Sequence, residues 1–252
     1  MTVTGIQCAF MGGLLSLVLA SPLWLSAQAP ELVYISNVTA TQAGGRTLTS
    51  VEDQTRATLD RLGEALQEHG LSYSDVVVSN VFLKDTRHFQ GMNGVYRTYF
   101  QVAPPTRATV QADLLDPDAL IQISVVATEE PKEVITPDGL RSPELPYSWG
   151  IKVGNTVFLS GFVRGNRQLR GDISGQTRAV LEQVQSVLFE ADMDLGDIVN
   201  SSVFLTDVRN FGPMNEVYRE MMVDAPPPRA TVGTQLMSAA GLIEIMMIAA
   251  KD

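Results

Sequence analysis

Two arginines in this chain sit in near-identical surroundings: Thr106-Arg107-Ala108-Thr109-Val110 and Pro228-Arg229-Ala230-Thr231-Val232. A guanidinium presents a planar fork of donors that grips a carboxylate through two parallel bonds, which lysine cannot reproduce. The threonine two places on points to the same face of a strand. Glu244 lies fifteen positions after Arg229, between Ile243 and Ile245, and strand alternation turns it away from those apolar neighbours. A carboxylate in an enclosed cleft can orient a water and accept its proton. Tyr147 offers a ring, and Gly161 a backbone N–H that a side chain would obstruct. Arginine for a carboxylate and glutamate for a water suit the hydrolysis of a small acid. The competing readings are a structural ion pair for Arg229 and a solvated strand residue for Glu244.

The surroundings of both arginines are duplicated over most of the chain. Val81-Phe82-Leu83, Asn93-x-x-Tyr96 and Arg107 recur 122 positions on as Val203-Phe204-Leu205, Asn215-x-x-Tyr218 and Arg229. The offset holds without a gap from Gln54-Thr55-Arg56-Ala57, which returns as Gln176-Thr177-Arg178-Ala179. A repeat this long is two copies of a whole folding unit, since solenoid repeats span about 20–50 residues.

The elements that must position these residues are clearest in copy two. Tyr147 to Val153 and Thr156 to Gly161 read as strands joined at Gly154-Asn155 by a type I′ turn. Ile173 to Ala191 carries Val180, Val184, Val187 and Leu188 at helical spacing. A strand over Ile198 to Leu205 and a helix over Phe211 to Met222 follow, the helix closed by Pro226-Pro227-Pro228. Strands over Arg229 to Leu236 and Leu242 to Ala250 complete the order β-β-α-β-α-β-β, an α+β sheet with helices on one face. Copy one repeats this from its second strand, Leu32 to Ser36, and lacks the opening strand. The expected organisation is a leader over 1–29, a shortened domain over 30–130, a linker over 131–143 and a complete domain over 144–252.

Composition narrows the function. With 252 residues, 45% hydrophobic and 18% charged, the chain reads as two globular domains. A formal charge of −10 and the lack of any basic run count against a nucleic-acid partner, and so against RNA cleavage. One cysteine, Cys8, and two histidines, His69 and His88, provide no ligand set for zinc or iron, and no cofactor is expected. Residues 1–30 carry no charged side chain; an apolar run from Gly12 to Leu25 precedes Ala27-Gln28-Ala29, the pattern of a secretory signal peptide. A membrane anchor needs about 20 apolar residues, and Pro22 interrupts this run. The expectation is a periplasmic or secreted protein with no stable membrane span in the mature chain, otherwise a cytoplasmic one.

Pro146-Tyr147-Ser148, Phe158-Leu159-Ser160-Gly161, Asn215-x-x-Tyr218, Pro228-Arg229-Ala230-Thr231 and Ile243-Glu244-Ile245 occur in one order over a single domain. In this the chain resembles the RidA (YjgF/YER057c/UK114) family, whose members include 2-iminoacid deaminases. The resemblance covers nearly all of 144–252 and most of 31–130. It implies two chorismate-mutase-like domains in tandem. It also implies a homo-oligomer, trimeric or pseudo-hexameric in domains, with ligand sites between neighbouring domains. By the same resemblance Arg229 binds the substrate carboxylate, helped by Gly161, Thr231 and Tyr147, and Glu244 holds the water. Many members carry a cysteine where Thr231 stands, so thiol chemistry is ruled out here.

Copy one retains Arg107 and Thr109, a possible secondary site, but has Gln122 at the glutamate position and Asn37 at the glycine position. An amide cannot act as the base. The expectation is hydrolysis of 2-imino or enamine acids to 2-keto acids and ammonia, carried by copy two as in 2-iminobutanoate/2-iminopropanoate deaminases. Copy one is then structural or ligand-binding, or completes the cleft that copy two opens. The alternative is a non-catalytic periplasmic protein that binds small carboxylates such as 2-keto acids or amino acids.

Overall fold

A computed structural model of the chain describes residues 29–222 and 226–251. The leader expected over 1–29 therefore lies outside the described residues except for Ala29. No helix among those described is long and apolar enough to cross a membrane.

Copy one comprises β1 (Val33–Val38), a small hairpin of β2 (Gln42–Ala43) and β3 (Arg46–Thr47), α1 (Val51–Glu68), β4 (Val76–Leu83), α2 (Phe89–Tyr99), β5 (Thr106–Gln111) and β6 (Ile121–Ala127). After β7 (Lys132–Ile135), copy two runs through β8 (Gly150–Val153), β9 (Thr156–Leu159), β10 (Phe162–Val163), α3 (Ile173–Phe189), β11 (Ile198–Leu205), α4 (Phe211–Met221), β12 (Arg229–Gly233) and β13 (Ile243–Ala250). Copy one's sheet has the order β1-β6-β4-β5, and copy two's the order β12-β11-β13-β9-β8-β7 with β10 also on β13. In both, the arginine strand lies parallel to its neighbour: β5 along β4, β12 along β11. The architecture is α+β, two domains of one fold in tandem. Among the described residues copy one has no counterpart of β8.

Three local differences from the sequence reading have physical causes. The span expected to be a linker contains β7, which pairs antiparallel with β8 from Lys132↔Val153 to Ile135↔Gly150. Prolines stand at 131 and 137, outside the four residues that pair, so neither removes a ladder donor. Ile135 is buried in copy two's core, and the pairing satisfies the outer edge of β8. Tyr147 precedes β8 and does not open it. At the β8–β9 turn only Gly154 takes a positive φ (55°), so the turn is not type I′, which needs both central residues left-handed.

Each helix buries one face on its own sheet. In α1 this face carries Leu59, Leu62 and Leu66; in α3 it carries Val180, Leu181, Val184, Val187 and Leu188. Ser50 caps α1 by accepting from Asp53 N–H at 3.1 Å, and Asp172 caps α3 by accepting from Gly175 N–H at 2.9 Å. The opposite faces of the two sheets meet in a third cluster, Val77, Val78 and Ala108 against Ile151, Val153, Phe158 and Met246.

The duplicated glutamine at the head of each long helix is a buried cross-tie. Gln176 Nε2 donates to Leu169 O (2.9 Å) and Ala240 O (3.0 Å), and its Oε1 accepts from Leu242 N–H (2.7 Å). Gln54 makes the same three bonds with Leu48, Asp118 and Leu120. Truncating such a residue leaves buried backbone groups unpartnered. We expect Gln176→Ala to lower the free energy of urea unfolding by about 3 kcal/mol; a loss under about 0.5 kcal/mol, the size of an ordinary surface change, would contradict the cross-tie.

Candidate active site

The site forms where the outer edge of β5 meets copy two. Arg107 N–H donates to Ser160 Oγ at 2.9 Å, and Gly161 N–H donates to Arg107 O at 3.0 Å. Ser160 Oγ–H passes the chain on to Ser148 O at 2.6 Å. Ser148 ties back to copy one, its N–H on Pro105 O (3.1 Å) and its hydroxyl on Pro104 O (2.6 Å). Further along the strand Gln111 N–H donates to Gln235 O at 3.0 Å, and Val110 bridges Leu236. The backbone of Arg107 is thus held by copy two on the side that its own sheet leaves open.

The side chain of Arg107 lies in an aromatic cradle. Its Cζ stands 4.9 Å from the Tyr96 ring centroid, 5.9 Å from Phe89 and 5.9 Å from Tyr147, a cation-π setting that compensates part of the lost hydration. Its Nη1 is buried with no hydrogen-bond partner, as is Thr109 Oγ1. Both copies build the cradle alike: Arg229 Cζ is 4.4 Å from the Tyr218 centroid and 5.6 Å from Phe211. The Asn-x-x-Tyr repeat, read from sequence as a family signature, is the arginine's seat. In copy two its asparagine takes a direct part, Arg229 Nη2 donating to Asn215 Oδ1 at 2.7 Å.

Arg107 and Glu244 face one cavity of about 380 Å³, which is also lined by Thr109, Tyr147, Gly161 and Trp149. Glu244 is buried, and its neighbours Ile243 and Ile245 point into copy two's core, as strand alternation requires. A Cβ at Gly161 would stand 2.0 Å from Glu244 Oε1, so only glycine leaves room for this carboxyl. Burial pushes Glu244 up to about 8, offset only in part by the Thr109 backbone bond and the Arg107 charge. Burial likewise lowers Arg107, with the rings of Tyr96 and Tyr147 and the Glu244 carboxyl acting against it. No ion pair joins the two among the described residues. Desolvation therefore outweighs their mutual attraction in both groups, and the space between them is open.

The structure brings together Glu244, Tyr147 and Gly161 from copy two with Arg107 and Thr109 from copy one. It does not bring in Arg229 or Thr231, which lie on β12, outside the lining of this cavity. The expected grouping of Glu244 with Arg229 is not found in this cavity, where the glutamate faces the other copy's arginine, the arrangement in which copy one completes the cleft that copy two opens. The role expected of Gly161 also changes. Its N–H is engaged by Arg107 O, and what the glycine supplies is space. Sequence reasoning missed Phe89, Trp149, Phe162 and Arg164 in the lining. Phe89 could have been found, because it recurs as Phe211 in the repeat. Trp149 and Phe162, stacked with centroids 5.8 Å apart, left no such signal.

The raised carboxyl has a stability consequence. A group whose folded value lies above its unfolded value stabilises fully below the unfolded value, and that contribution is lost as pH rises through the folded one. For Glu244 the window runs from about 4.5 to about 8. Glu244→Gln, neutral at every pH, should match the parent in thermal midpoint near pH 4 and exceed it near pH 8. Midpoints that stay parallel across this range would contradict a buried, neutral carboxyl.

Comparison with known proteins agrees with this architecture. The family model described as Endoribonuclease L-PSP matches the chain twice, over residues 25–129 and 140–251. A RutC family protein of Sulfurisphaera tokodaii is 38% identical over 123 residues, 47% of this chain and 98% of that protein. The mitochondrial protein mmf2 of Schizosaccharomyces pombe is 40% identical over 111 residues, 42% of this chain and 88% of that protein. Among solved structures, RidA from an Antarctic Psychrobacter is 30% identical with a TM-score of 0.43, covering 47% of this chain and 99% of its own. Each relative matches about half of this chain, the size of one copy, and the chain belongs to the Endoribonuclease L-PSP, or RidA, family as a tandem-repeat member.

Proposed function

We propose that the chain hydrolyses 2-imino acids, or the enamines in equilibrium with them, to 2-keto acids and ammonia at the cavity between the copies. The observation that carries this reading is the pairing of a buried, partnerless Arg107 Nη1 with a buried Glu244 across one open space. Arg107 receives the substrate carboxylate through parallel bonds. The aromatic wall of Tyr147 and Trp149 flanks the imine carbon. Ionised Glu244 takes a proton from water as the oxygen bonds to C2 and the C=N π electrons move to nitrogen. The protonated carboxyl then returns its proton to nitrogen to give the neutral carbinolamine; Glu244 next takes the hydroxyl proton as the C=O bond forms and passes it to the departing nitrogen, so the C–N bond breaks with ammonia as the leaving group and the 2-keto acid remains. Imines of this kind hydrolyse readily in water, so modest positioning suffices. The net charge of −10 favours a small acid met by one buried arginine over the RNA named in the family's description.

A second reading, capture of small carboxylates without hydrolysis, draws on one observation. A carboxyl lifted to about 8 is largely protonated at neutral pH, and in that form it is a donor to a ligand oxygen and no base. Ammonia release from a freshly generated 2-imino acid separates the two. Hydrolysis predicts acceleration over buffer, with kcat/KM climbing from pH 6 to a plateau above about 8 as Glu244 ionises. Glu244→Gln should remove the pH-dependent rise and lower kcat/KM by about 100-fold. Arg107→Ala should cost far more activity than Arg229→Ala. Binding of keto acids without any acceleration would replace hydrolysis by capture.

Gly161→Ala tests the same geometry from the other side. Its Cβ must displace the Glu244 carboxyl, and a displacement near 1 Å costs about 100-fold in rate. Retained activity in a folded Gly161→Ala protein would show that the carboxyl takes no part.

A further inference from the structure

Arg164 is the charged side chain in the cavity lining that the proposed hydrolysis leaves without a role. Its position follows from the strand before it. In β10, Val163 lies opposite Glu244 in the antiparallel register, so the next residue leaves the sheet beside that carboxyl and enters the cavity wall. Gly165 then packs against the backbone of Ala240, where a Cβ would stand 2.3 Å from the carbonyl carbon. Asn166 Oδ1 accepts from Gln168 N–H at 2.9 Å and from Leu169 N–H at 3.0 Å, which tightens the loop that follows. The root of Arg164 is thus held between a strand and a close backbone contact.

The guanidinium has no counter-charge within the protein: the ion pairs among the described residues all use other arginines. The side chain is half-buried, and its charge acts on the Tyr147 hydroxyl, whereas the cation acting on Glu244 is Arg107. The two arginines therefore stand at different depths, Arg107 buried beside Glu244 and Arg164 near Tyr147 and closer to solvent. Arg167 and Arg170 of the same loop are exposed and likewise outside any ion pair among the described residues. In a chain of net charge −10 this loop is a local positive patch, which raises the concentration of anions beside the cavity. The cavity also has room to spare. Its volume of about 380 Å³ lies in the range of sites that enclose drug-sized ligands, so an acid the size of pyruvate on Arg107 fills a minor part of it.

We infer that Arg164 receives the second carboxylate of a dicarboxylic 2-imino acid whose first carboxylate is held by Arg107. The inference names a substrate class for the hydrolysis proposed above and rests on that reading. A guanidinium without a carboxylate of its own, fixed at the wall of a carboxylate-binding cavity, is a recognition group for a second one. The substrate chain runs from Arg107 past the rings of Tyr147 and Trp149 to Arg164. The chemistry at C2 is unchanged: water adds, ammonia leaves, and the product is a 2-keto dicarboxylate. Copy one offers no such group. With Asn37 at the position of Gly161, the position of Arg164 falls on Ala40, which is buried.

Paired substrates of equal length test this. An oxidase acting on glutamate or on norvaline generates 2-iminoglutarate or 2-iminopentanoate, which differ in the terminal carboxylate alone. The parent should favour 2-iminoglutarate by about 10-fold in kcat/KM, the worth of one charge-assisted contact. Arg164→Gln should abolish that preference, and Arg167→Gln, the same charge change on the same loop, should retain it. A parent without the preference, a preference that survives Arg164→Gln, or one that Arg167→Gln removes equally would overturn the inference, while hydrolysis of both imines leaves the proposed activity standing. Calorimetry with 2-ketoglutarate and 2-ketopentanoate repeats the comparison without hydrolysis. Tighter binding of 2-ketoglutarate that Arg164→Gln abolishes, in a protein that hydrolyses neither imine, would support the two-carboxylate site and reject the proposed activity alone. Equal affinities, or binding of neither acid, would overturn the site.

Discussion

The two bonds that join the Arg107 backbone to the Ser160 hydroxyl and the Gly161 N–H are the contacts on which the site depends. A strand edge carries donors and acceptors that must be satisfied somewhere. The outer edge of β5 is satisfied by the other copy, and with it the backbone from which the guanidinium departs is fixed relative to Glu244. Ser160 extends the tie through Ser148 to the carbonyls of Pro104 and Pro105. Side chains mounted on strands locked in this way hold their geometry better than side chains on free loops.

The electrostatics follow from that docking. Bringing the copies together removes water from an arginine and a glutamate at once, and this desolvation shifts each toward its neutral form by more than their mutual attraction restores. Breaking one partner out of a close buried pair is costly; here the two groups line an open cavity and make no such pair. Perturbed ionisation in an enclosed cleft with an unpartnered donor is the mark of a functional site more than of a structural ion pair.

Duplication explains how one chain holds two different edges. Both copies keep the arginine, the Asn-x-x-Tyr helix that seats it, the aromatic at the head of that helix, and the glutamine cross-tie of the long helix. They differ in the strand that opens the fold and at the positions of Gly161 and Glu244, replaced in copy one by Asn37 and Gln122. Copy one keeps an arginine but has an amide where copy two has a carboxyl, and copy two's own arginine lies outside the cavity. The single hydrolytic site we propose combines the surviving half of each.

Much of this was legible in the residues. Helical periodicity, the proline stop after α4 and the repeat itself located the helices and most strands, because local propensity and burial period act over short stretches. The spacing of Arg229, Thr231 and Glu244, and the match at Arg107 and Thr109, identified residues of the right chemistry. The strand over Lys132–Ile135 was hidden by its flanking prolines, because its pairing partner is supplied from outside the segment. The sequence by itself determined the fold of each copy, the arginine with its seat, and the fact that only copy two carries a carboxyl at this position. Which arginine meets that carboxyl was decided by tertiary structure alone. The β5 edge meets the Ser160–Gly161 corner through residues more than 50 positions apart, a long-range contact with no local signature.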